Sequence, residues 1–506
     1  MSKNSSIKKV LFVSPPSRAF NHYRPPLALM YLSGYLKKQG IQTEIIDCII
    51  KDQVRSKSFD RNKDIYLAKV RENTIKHIIE TDTDIVCITC YTPELQEVET
   101  LAAEIKNKKK GIKIVVGGVH PMFFPEHFIC DNSNFDFVVI GEGEVTLFEL
   151  VKAIRNNAYQ YNLVDGIAYW DKQSNKLIIN KRRVLAENLD EISFPDYEDL
   201  DMDFYTTASP YAIRGVFSKS FYVLSSRGCP SSCTFCVSKK LREFYSGERF
   251  VRLRSPESLY KEIKDLRDEY KIDSFYFIDD LFTLKKENVR QFCQLMIDDK
   301  SPLIWGCSSK VNTVDYEMLK IMADAGCVQI DFGVEKGTDS ELKQLKKGIT
   351  LAQIEKTFKN CRKLGIRTFA NMLVNTPGEQ EADLRSSLAF VQRIKPTIVS
   401  FNVFAPYPGC EIFNERCGNI KREDYPALMN TVLLIKDKPE KYRFAEHSVD
   451  LLDWVIRANR KYNKVLPNLS IYFSVKYIKN IISSKSKMEY LKRFVSLLKE
   501  FINQKF

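Results

Sequence analysis

The chain alternates short, β-rich apolar runs with longer stretches of helical period, and it does so twice. The first series of runs is Val10 to Val13, Thr43 to Ile46, Asp84 to Cys90, Ile112 to Val116 and Phe137 to Ile140, with Leu27 to Gln39 and Leu95 to Lys106 among the helical stretches between. This pattern specifies an open parallel sheet covered on both faces. The second series is Phe221 to Ser225, Ser274 to Ile278, Leu303 to Ser308, Val328 to Gly333, Arg367 to Val374 and Thr397 to Phe404. Amphipathic stretches separate these runs as well: Pro256 to Tyr270 carries Leu259, Ile263 and Leu266 at helical spacing. Six such units make an incomplete (βα)6 barrel, with its active site expected at the C-terminal strand ends. Between the two series, Asp165 to Trp170 and Lys176 to Arg183 read as hairpin strands. Leu189 to Tyr197, interrupted by Pro195, reads as an extended linker that crosses the domain interface without taking part in chemistry. The expected fold class is α/β, with an open-sheet domain over 8–155, a hairpin and linker over 156–214, a barrel over 215–447 and a small helical region over 448–506.

A chain of 506 residues has room for two to four domains, each with its own core. Its apolar runs fall short of the roughly 18 to 20 residues a membrane span requires. Met1 to Lys9 contains no apolar segment of the secretory type, so a cytoplasmic location is expected. In a reducing compartment the thirteen scattered cysteines should be free thiols or ligands, not a disulfide framework. Cys87 and Cys90 lie three apart in an apolar strand, so their side chains point to opposite faces and read as buried core thiols.

Three other cysteines form a compact loop after the first barrel strand: Arg227-Gly228-Cys229-Pro230-Ser231-Ser232-Cys233-Thr234-Phe235-Cys236. Thiolates spaced four and three apart can hold three corners of a [4Fe–4S] cube. Structural iron–sulfur sites usually supply four thiolates, so three with no fourth nearby leave one iron open to a substrate or cofactor. A zinc knuckle or plain buried thiols are the alternatives. Zinc wants a fourth Cys or His close by, and the closest histidines in sequence, His127 and His447, are far from the loop.

Ligands of open parallel sheets bind beyond the carboxyl ends of the strands, and three loops of the first series are unusual there. They are Ser14-Pro15-Pro16, which leads to Arg24-Pro25-Pro26-Leu27, then Gly117-Gly118-Val119-His120-Pro121, and Gly141-Glu142-Gly143-Glu144. Paired glycines let a large planar ligand approach the backbone closely. Taken alone the signal is weak, because glycine after a strand is common punctuation.

With these motifs in this order, the chain resembles the radical S-adenosylmethionine (SAM) enzymes that carry a cobalamin-binding domain. Relatives in that group include class B radical SAM methyltransferases and the anaerobic magnesium-protoporphyrin cyclase type. The resemblance implies a Rossmann-like cobalamin-binding domain in which Ser14, Pro15, Gly117, Gly118, His120, Gly141, Glu142 and Gly143 lie near the corrin or its nucleotide tail. Classical cobalamin proteins carry Asp-x-His-x-x-Gly after the first strand. Here His22 has Phe20 before it and Pro25 after it, which implies cobalamin held without a protein imidazole on cobalt.

In the barrel, the resemblance implies that Cys229, Cys233 and Cys236 hold the cluster and that Phe235 sets an aromatic surface beside the SAM nucleoside. It places the SAM amino group near Asp279 and Asp280. The segment Gly333-Val334-Glu335-Lys336-Gly337 is similar to the family's Gly-x-Glu-Ser stretch on the ribose and methionine, with Lys336 replacing the usual Ser. Asn375-Thr376-Pro377-Gly378-Glu379 is similar to a turn near the adenine, and Pro406-Tyr407-Pro408-Gly409 closes the sixth strand. A methylthiotransferase would carry a second cysteine trio in its N-terminal domain, and Cys48, Cys87, Cys90 and Cys130 do not match one.

The resemblance further implies reductive cleavage of SAM to a 5′-deoxyadenosyl radical, with electrons from a low-potential donor of flavodoxin or ferredoxin type. With cobalamin as methyl carrier, the implied product is a C-methylated small molecule or lipid-like compound. Cyclisation, oxidation or rearrangement is the alternative within the family, and a non-catalytic cofactor-binding sensor is the alternative outside it. Asp453 to Phe506 contains 12 Lys or Arg against three acids, interleaved with aromatics. That composition suits either a helical cap on the barrel or contact with an anionic substrate or peripheral membrane surface. With no β-rich RNA-binding appendage after the barrel, nucleic acid is not favoured.

Overall fold

The structure, a computed structural model, describes residues 8–16, 24–48, 63–156, 160–207, 212–214, 216, 218–430, 435 and 438–463. His22 and the greater part of the basic C-terminal region lie outside the described residues. The chain divides into two compact units. The first comprises Met1–Ala186, Glu191–Met202 and Lys421–Met429, and the second comprises Glu187–Asp190, Asp203–Ile420 and Asn430–Phe506.

The first unit is built on one seven-stranded sheet of order β2-β1-β3-β4-β5-β6-β7. Its strands are β1 (Lys9–Ser14), β2 (Thr43–Asp47), β3 (Thr83–Thr89), β4 (Lys113–Gly117), β5 (Phe137–Val139), β6 (Ile167–Asp171) and β7 (Lys176–Ile179). Neighbours among β1 to β5 pair parallel. Val10, Leu11, Phe12 and Val13 are fully buried, as a strand covered on both faces requires.

The hairpin β6–β7 is not a separate connector. It adds antiparallel to β5 and widens this sheet. The proline-interrupted segment is divided: Leu189 and Asp190 fall in the second unit, and Glu191 to Tyr197 in the first, against the helix Leu27–Lys38. There Asp196 accepts hydrogen bonds from Ser33 Oγ at 2.5 Å and pairs with Lys37 Nζ at 2.8 Å. A side chain at Gly34 would lie 2.3 Å from Phe194 O, so this close packing depends on the glycine.

The second unit holds a six-stranded sheet of order β15-β14-β13-β12-β11-β8. These strands are β8 (Ser220–Val223), β11 (Ser274–Phe277), β12 (Ile304–Ser309), β13 (Cys327–Glu335), β14 (Arg367–Val374) and β15 (Ile398–Val403). All neighbours pair parallel in sequence order, as in a partial barrel whose first and last strands do not meet. A small antiparallel pair, β9 (Ser226–Arg227) and β10 (Arg252–Leu253), follows the first strand.

Successive strand residues face opposite sides. The outer face packs Phe275 and Trp305 in a stack at 6.0 Å and Phe277 on Phe282 at 4.2 Å, with Phe292 of the helix Lys286–Asp298 closing the group. The other face carries polar residues toward the cavity described below. Edge strand β15 is covered by the helix Leu451–Tyr462 and the residue after it. Asn459 bonds both backbone groups of Phe401, at 2.8 and 3.2 Å, and Asn463 bonds both of Val399, at 2.9 and 2.7 Å.

Candidate active site

The cysteine loop begins where β8 ends. Asp279, one strand over, accepts hydrogen bonds from the Ser225 amide at 3.0 Å, Ser225 Oγ at 2.9 Å and Ser226 Oγ at 2.5 Å. Burial drives its carboxyl up to about 6 although both serines pull the other way. Gly228 then turns with φ +89°, and a Cβ there would lie 2.7 Å from Phe250 O, so only glycine fits. Arg242 clamps the far side of the loop, donating to Pro230 O at 2.5 Å, Ser231 O at 3.1 Å and Ser232 Oγ at 2.7 Å.

The loop so fixed brings Cys229, Cys233 and Cys236 onto one cavity of about 230 Å³, shared with Phe235, Asp280, Asp331, Glu335 and other residues of the barrel's inner face. Cys233 is buried, and burial raises its thiol against the opposing influence of Lys347 and Lys310. Ser238 Oγ lies 3.2 Å from Cys236 Sγ, and the Ser238 amide donates to the same sulfur at 3.5 Å. Among the described residues, no three His, Cys, Asp or Glu side chains stand close enough together to hold a single metal ion. Three thiols on one cavity are a donor set suited to an iron–sulfur cluster.

Opposite the thiols, Glu335 accepts from Lys347 Nζ at 2.8 Å. Glu335 adopts φ +67°, unusual for a residue with a side chain. A Cβ on Gly333 would meet Glu335 Oε1 at 2.4 Å and Lys347 Nζ at 2.5 Å, so that glycine makes room for the pair. Phe235 lines the cavity with Lys347 Nζ 5.6 Å from its ring centre, and its other contacts are the buried apolar group Leu345, Phe404, Cys410 and Ile412.

The two adjacent acids divide their work. Asp280 lines the cavity, where desolvation raises its carboxyl, whereas buried Asp279 serves the root of the loop. Lys336 turns away from the cavity: it is 1 % exposed and pairs with Glu379 and, at 3.1 Å, with Glu341. Pro377 and Gly378 do not line this cavity either. Their turn is held by Gln344 Nε2 on Pro377 O at 2.9 Å and by Asn375, which bonds the Tyr442 carbonyl and the Phe444 amide.

Sequence reasoning missed Lys310, Lys347, Asp331, Asn371, Ser231 and Ser308 in the cavity lining. The alternation Asp331-Gly333-Glu335 on one strand face was a usable signal. For Lys347, which reaches Glu335 from a separate segment, there was none.

In the first unit, the parallel topology carries Ser14 and Pro15 at the end of β1, Gly117 and Gly118 at the end of β4, and Gly141, Glu142 and Gly143 after β5 to the carboxyl edge of the sheet. Among the described residues, a Cβ on Gly117 would meet nothing nearer than Val139 at 3.8 Å. Gly118 serves the backbone instead, since a Cβ there would lie 2.8 Å from Cys90 O. His120 is 1 % exposed and uses both ring nitrogens internally, at 3.1 Å to Thr92 Oγ1 and 3.1 Å to His127 Nδ1. Burial, with His127 and Arg422 adding, drives its pKa down to about 3 and keeps it neutral. Cys87 and Cys90 are buried, with thiols raised by burial.

The B12 binding domain is matched over residues 18–151 and the Radical SAM superfamily over residues 223–391. The chain is 30% identical over 419 residues to an uncharacterized methyltransferase of Pyrococcus horikoshii, PH0819, covering 82% of this chain and 84% of that one. The chain belongs to the cobalamin-binding radical SAM enzymes. It is also 26% identical over 444 residues to cytidylyl-2-hydroxyethylphosphonate methyltransferase of Streptomyces wedmorensis, with 81% of each covered. To the anaerobic magnesium-protoporphyrin IX monomethyl ester cyclase of Rubrivivax gelatinosus it is 26% identical over 405 residues, covering 79% of this chain and 68% of that one.

The fold is that of the radical SAM methyltransferase TsrM from Kitasatospora setae, solved with cobalamin and a [4Fe–4S] cluster bound. The TM-score is 0.61 at 18% identity, covering 81% of this chain and 78% of that one. With a B12 binding domain and a Radical SAM domain in one chain, the cofactors are cobalamin and SAM. No described helix is long and apolar enough to cross a membrane.

Proposed function

We propose that this radical SAM enzyme transfers a methyl group to an unactivated carbon of a small molecule, with Cys229, Cys233 and Cys236 as the cluster ligands. The observation that carries the reading is one cavity lined by the three thiols, Phe235 and the Glu335–Lys347 pair. Bound in their sites, the cluster supplies the electron that cleaves SAM and cobalamin carries the methyl group. The chain's own residues bind and orient. Glu335 and Lys347 offer a carboxylate and an ammonium to an α-amino acid, complementary in charge to the methionine end of SAM. Phe235 offers an apolar plane beside them. Ser238 steadies the Cys236 sulfur by donating to it. In the first unit, the lack of a close neighbour at Gly117 among the described residues, with Ser14, Pro15 and the Gly141 to Gly143 loop along the same sheet edge, supports a corrin-binding role.

The test is anaerobic reconstitution with iron, sulfide and hydroxocobalamin, followed by SAM and a low-potential reductant of flavodoxin or ferredoxin type. The expected products are 5′-deoxyadenosine and, with substrate present, S-adenosylhomocysteine. A cluster-loaded protein that never yields 5′-deoxyadenosine would sink the reading in favour of a non-catalytic sensor. The likeness to the cyclase favours a second reading, cyclisation or oxidation, which predicts 5′-deoxyadenosine with no S-adenosylhomocysteine.

A further inference from the structure

The cavity holds two lysines, and only one has a carboxylate. Lys347 is paired with Glu335 at 2.8 Å. Lys310 has no carboxylate at ion-pair distance among the described residues, and its one side-chain hydrogen bond is to Ser231 Oγ at 3.3 Å. Ser231 sits between Cys229 and Cys233, so this ammonium is directed at the loop that carries the thiols.

Its root is firmly built. Lys310 follows β12 directly, and its carbonyl accepts from the Thr313 amide at 3.0 Å and Thr313 Oγ1 at 2.7 Å. Thr313 and Ser309 are both tied to fully buried Thr283, at 2.6 and 2.5 Å. A half-buried cation held in place without an acid is costly unless a negative partner arrives. The charged groups acting on Lys310 are Cys233 and Cys229, which attract it, and Lys347, which repels it.

We propose that Lys310 is a positioning residue that supplies the unpaired positive charge of the cluster pocket and favours the reduced cluster. An oxidised [4Fe–4S] core of charge +2 on three thiolates carries −1, and one added electron makes it −2. A fixed cation beside the thiolates stabilises the second state more than the first. This inference rests on the three cysteines holding the cluster.

The test measures the cluster's midpoint potential by redox titration monitored by electron paramagnetic resonance, on reconstituted protein without SAM. Lys310→Met removes the charge and keeps the length. Lys310→Arg keeps the charge. Ser231→Ala removes the hydrogen bond and leaves the charge in place. At fixed potential, Lys310→Met is expected to lower the ratio of reduced to oxidised cluster about tenfold, the scale of a unit charge acting from within about 10 Å at a half-buried site. That ratio corresponds to about 59 mV for one electron. Lys310→Arg and Ser231→Ala should stay near the wild type.

An unmoved potential in Lys310→Met, or an equal fall in Lys310→Arg, overturns the inference. Should Lys310→Met fail to retain iron and sulfide, retention by Lys310→Arg supports the charge and loss from both variants overturns it. Wild-type protein that binds no iron and sulfide would fail the cysteine assignment itself, an outcome distinct from all of these.

Discussion

Replacing Lys336 by the serine usual in this family is expected to damage the protein, not repair it. Lys336 and Glu379 are each 1 % exposed at their side chains, and Glu341, the second partner of the lysine, is 8 % exposed. Removing one member of a buried ion pair costs about 3–5 kcal/mol, because the other charge stays buried. Glu379 keeps the Asn375 amide at 2.9 Å and His447 Nε2 at 3.1 Å, so the lower end, about 3 kcal/mol, is the better figure. At about 2–4 °C per kcal/mol for a unit of this size, Lys336→Ser should melt roughly 6–12 °C below the wild type.

The sign of the pH dependence follows from Glu379. Burial alone would raise its carboxyl, but His447, Lys336 and the Asn375 amide outweigh burial and hold it below the ordinary value. Its contribution is therefore present above the unfolded carboxyl pKa and lost as pH falls through the folded one. Without Lys336 the balance shifts toward protonation, so the deficit of the variant should shrink from pH 7.5 to pH 5. Thermal melts followed by circular dichroism at the two pH values provide the measurement. A variant that melts with the wild type but binds SAM more weakly would refute the reasoning and put Lys336 in the SAM site.

Other expectations concern the loop and the cavity. Cys233→Ala should abolish cluster incorporation and 5′-deoxyadenosine formation while leaving the circular dichroism signal of the folded chain, as read by iron content, product assay and spectrum. Gly333→Ala drives a methyl into the Glu335–Lys347 pair, and loss of one charge-assisted hydrogen bond, about 1.5–3 kcal/mol, should weaken SAM binding about tenfold or more in calorimetry. Asp279 has a raised carboxyl, near 6, so the wild type should lose stability relative to Asp279→Asn as pH rises through that value. Melting curves from pH 5 to pH 7.5 that run parallel for the two proteins would contradict this.

What the sequence disclosed was whatever is local. Strand and helix runs came within a few residues of their observed ends, because alternating apolar runs record burial along a single element. The three cysteines were legible for the same reason, falling within eight consecutive residues of one loop.

Features that depend on distant segments were not legible. Asp279 and Asp280 are neighbours at a strand end and point to different sides, and only the packing decides which side is the cavity. Lys310 and Lys347 converge from two different crossover connections. The hairpin β6–β7 was read as a connector because its pairing to β5 lies outside its own residues. Lys421–Met429 follows the barrel in sequence yet packs within the first unit, where the Tyr425 ring meets His120 at 5.6 Å and 76°. No motif in that segment announces this partner.

The two asparagines on β15 settle where the sheet stops. An open strand edge is a template for pairing with another chain, and here a primary amide, which both donates and accepts, imitates a missing neighbour strand at two successive positions. Asn459 stands in the last turn of the helix and Asn463 caps its end, so both side chains reach the same strand edge. The end of that helix thus quenches four backbone groups, the N–H and C=O of Val399 and Phe401, that would otherwise recruit a foreign strand. Truncation ahead of residue 459 should therefore convert a monomer-compatible edge into a sticky one. Removal of the lysine-rich stretch beyond Asn463 should leave this guard intact, which separates a solubility function of the C-terminal region from any role in binding charged partners.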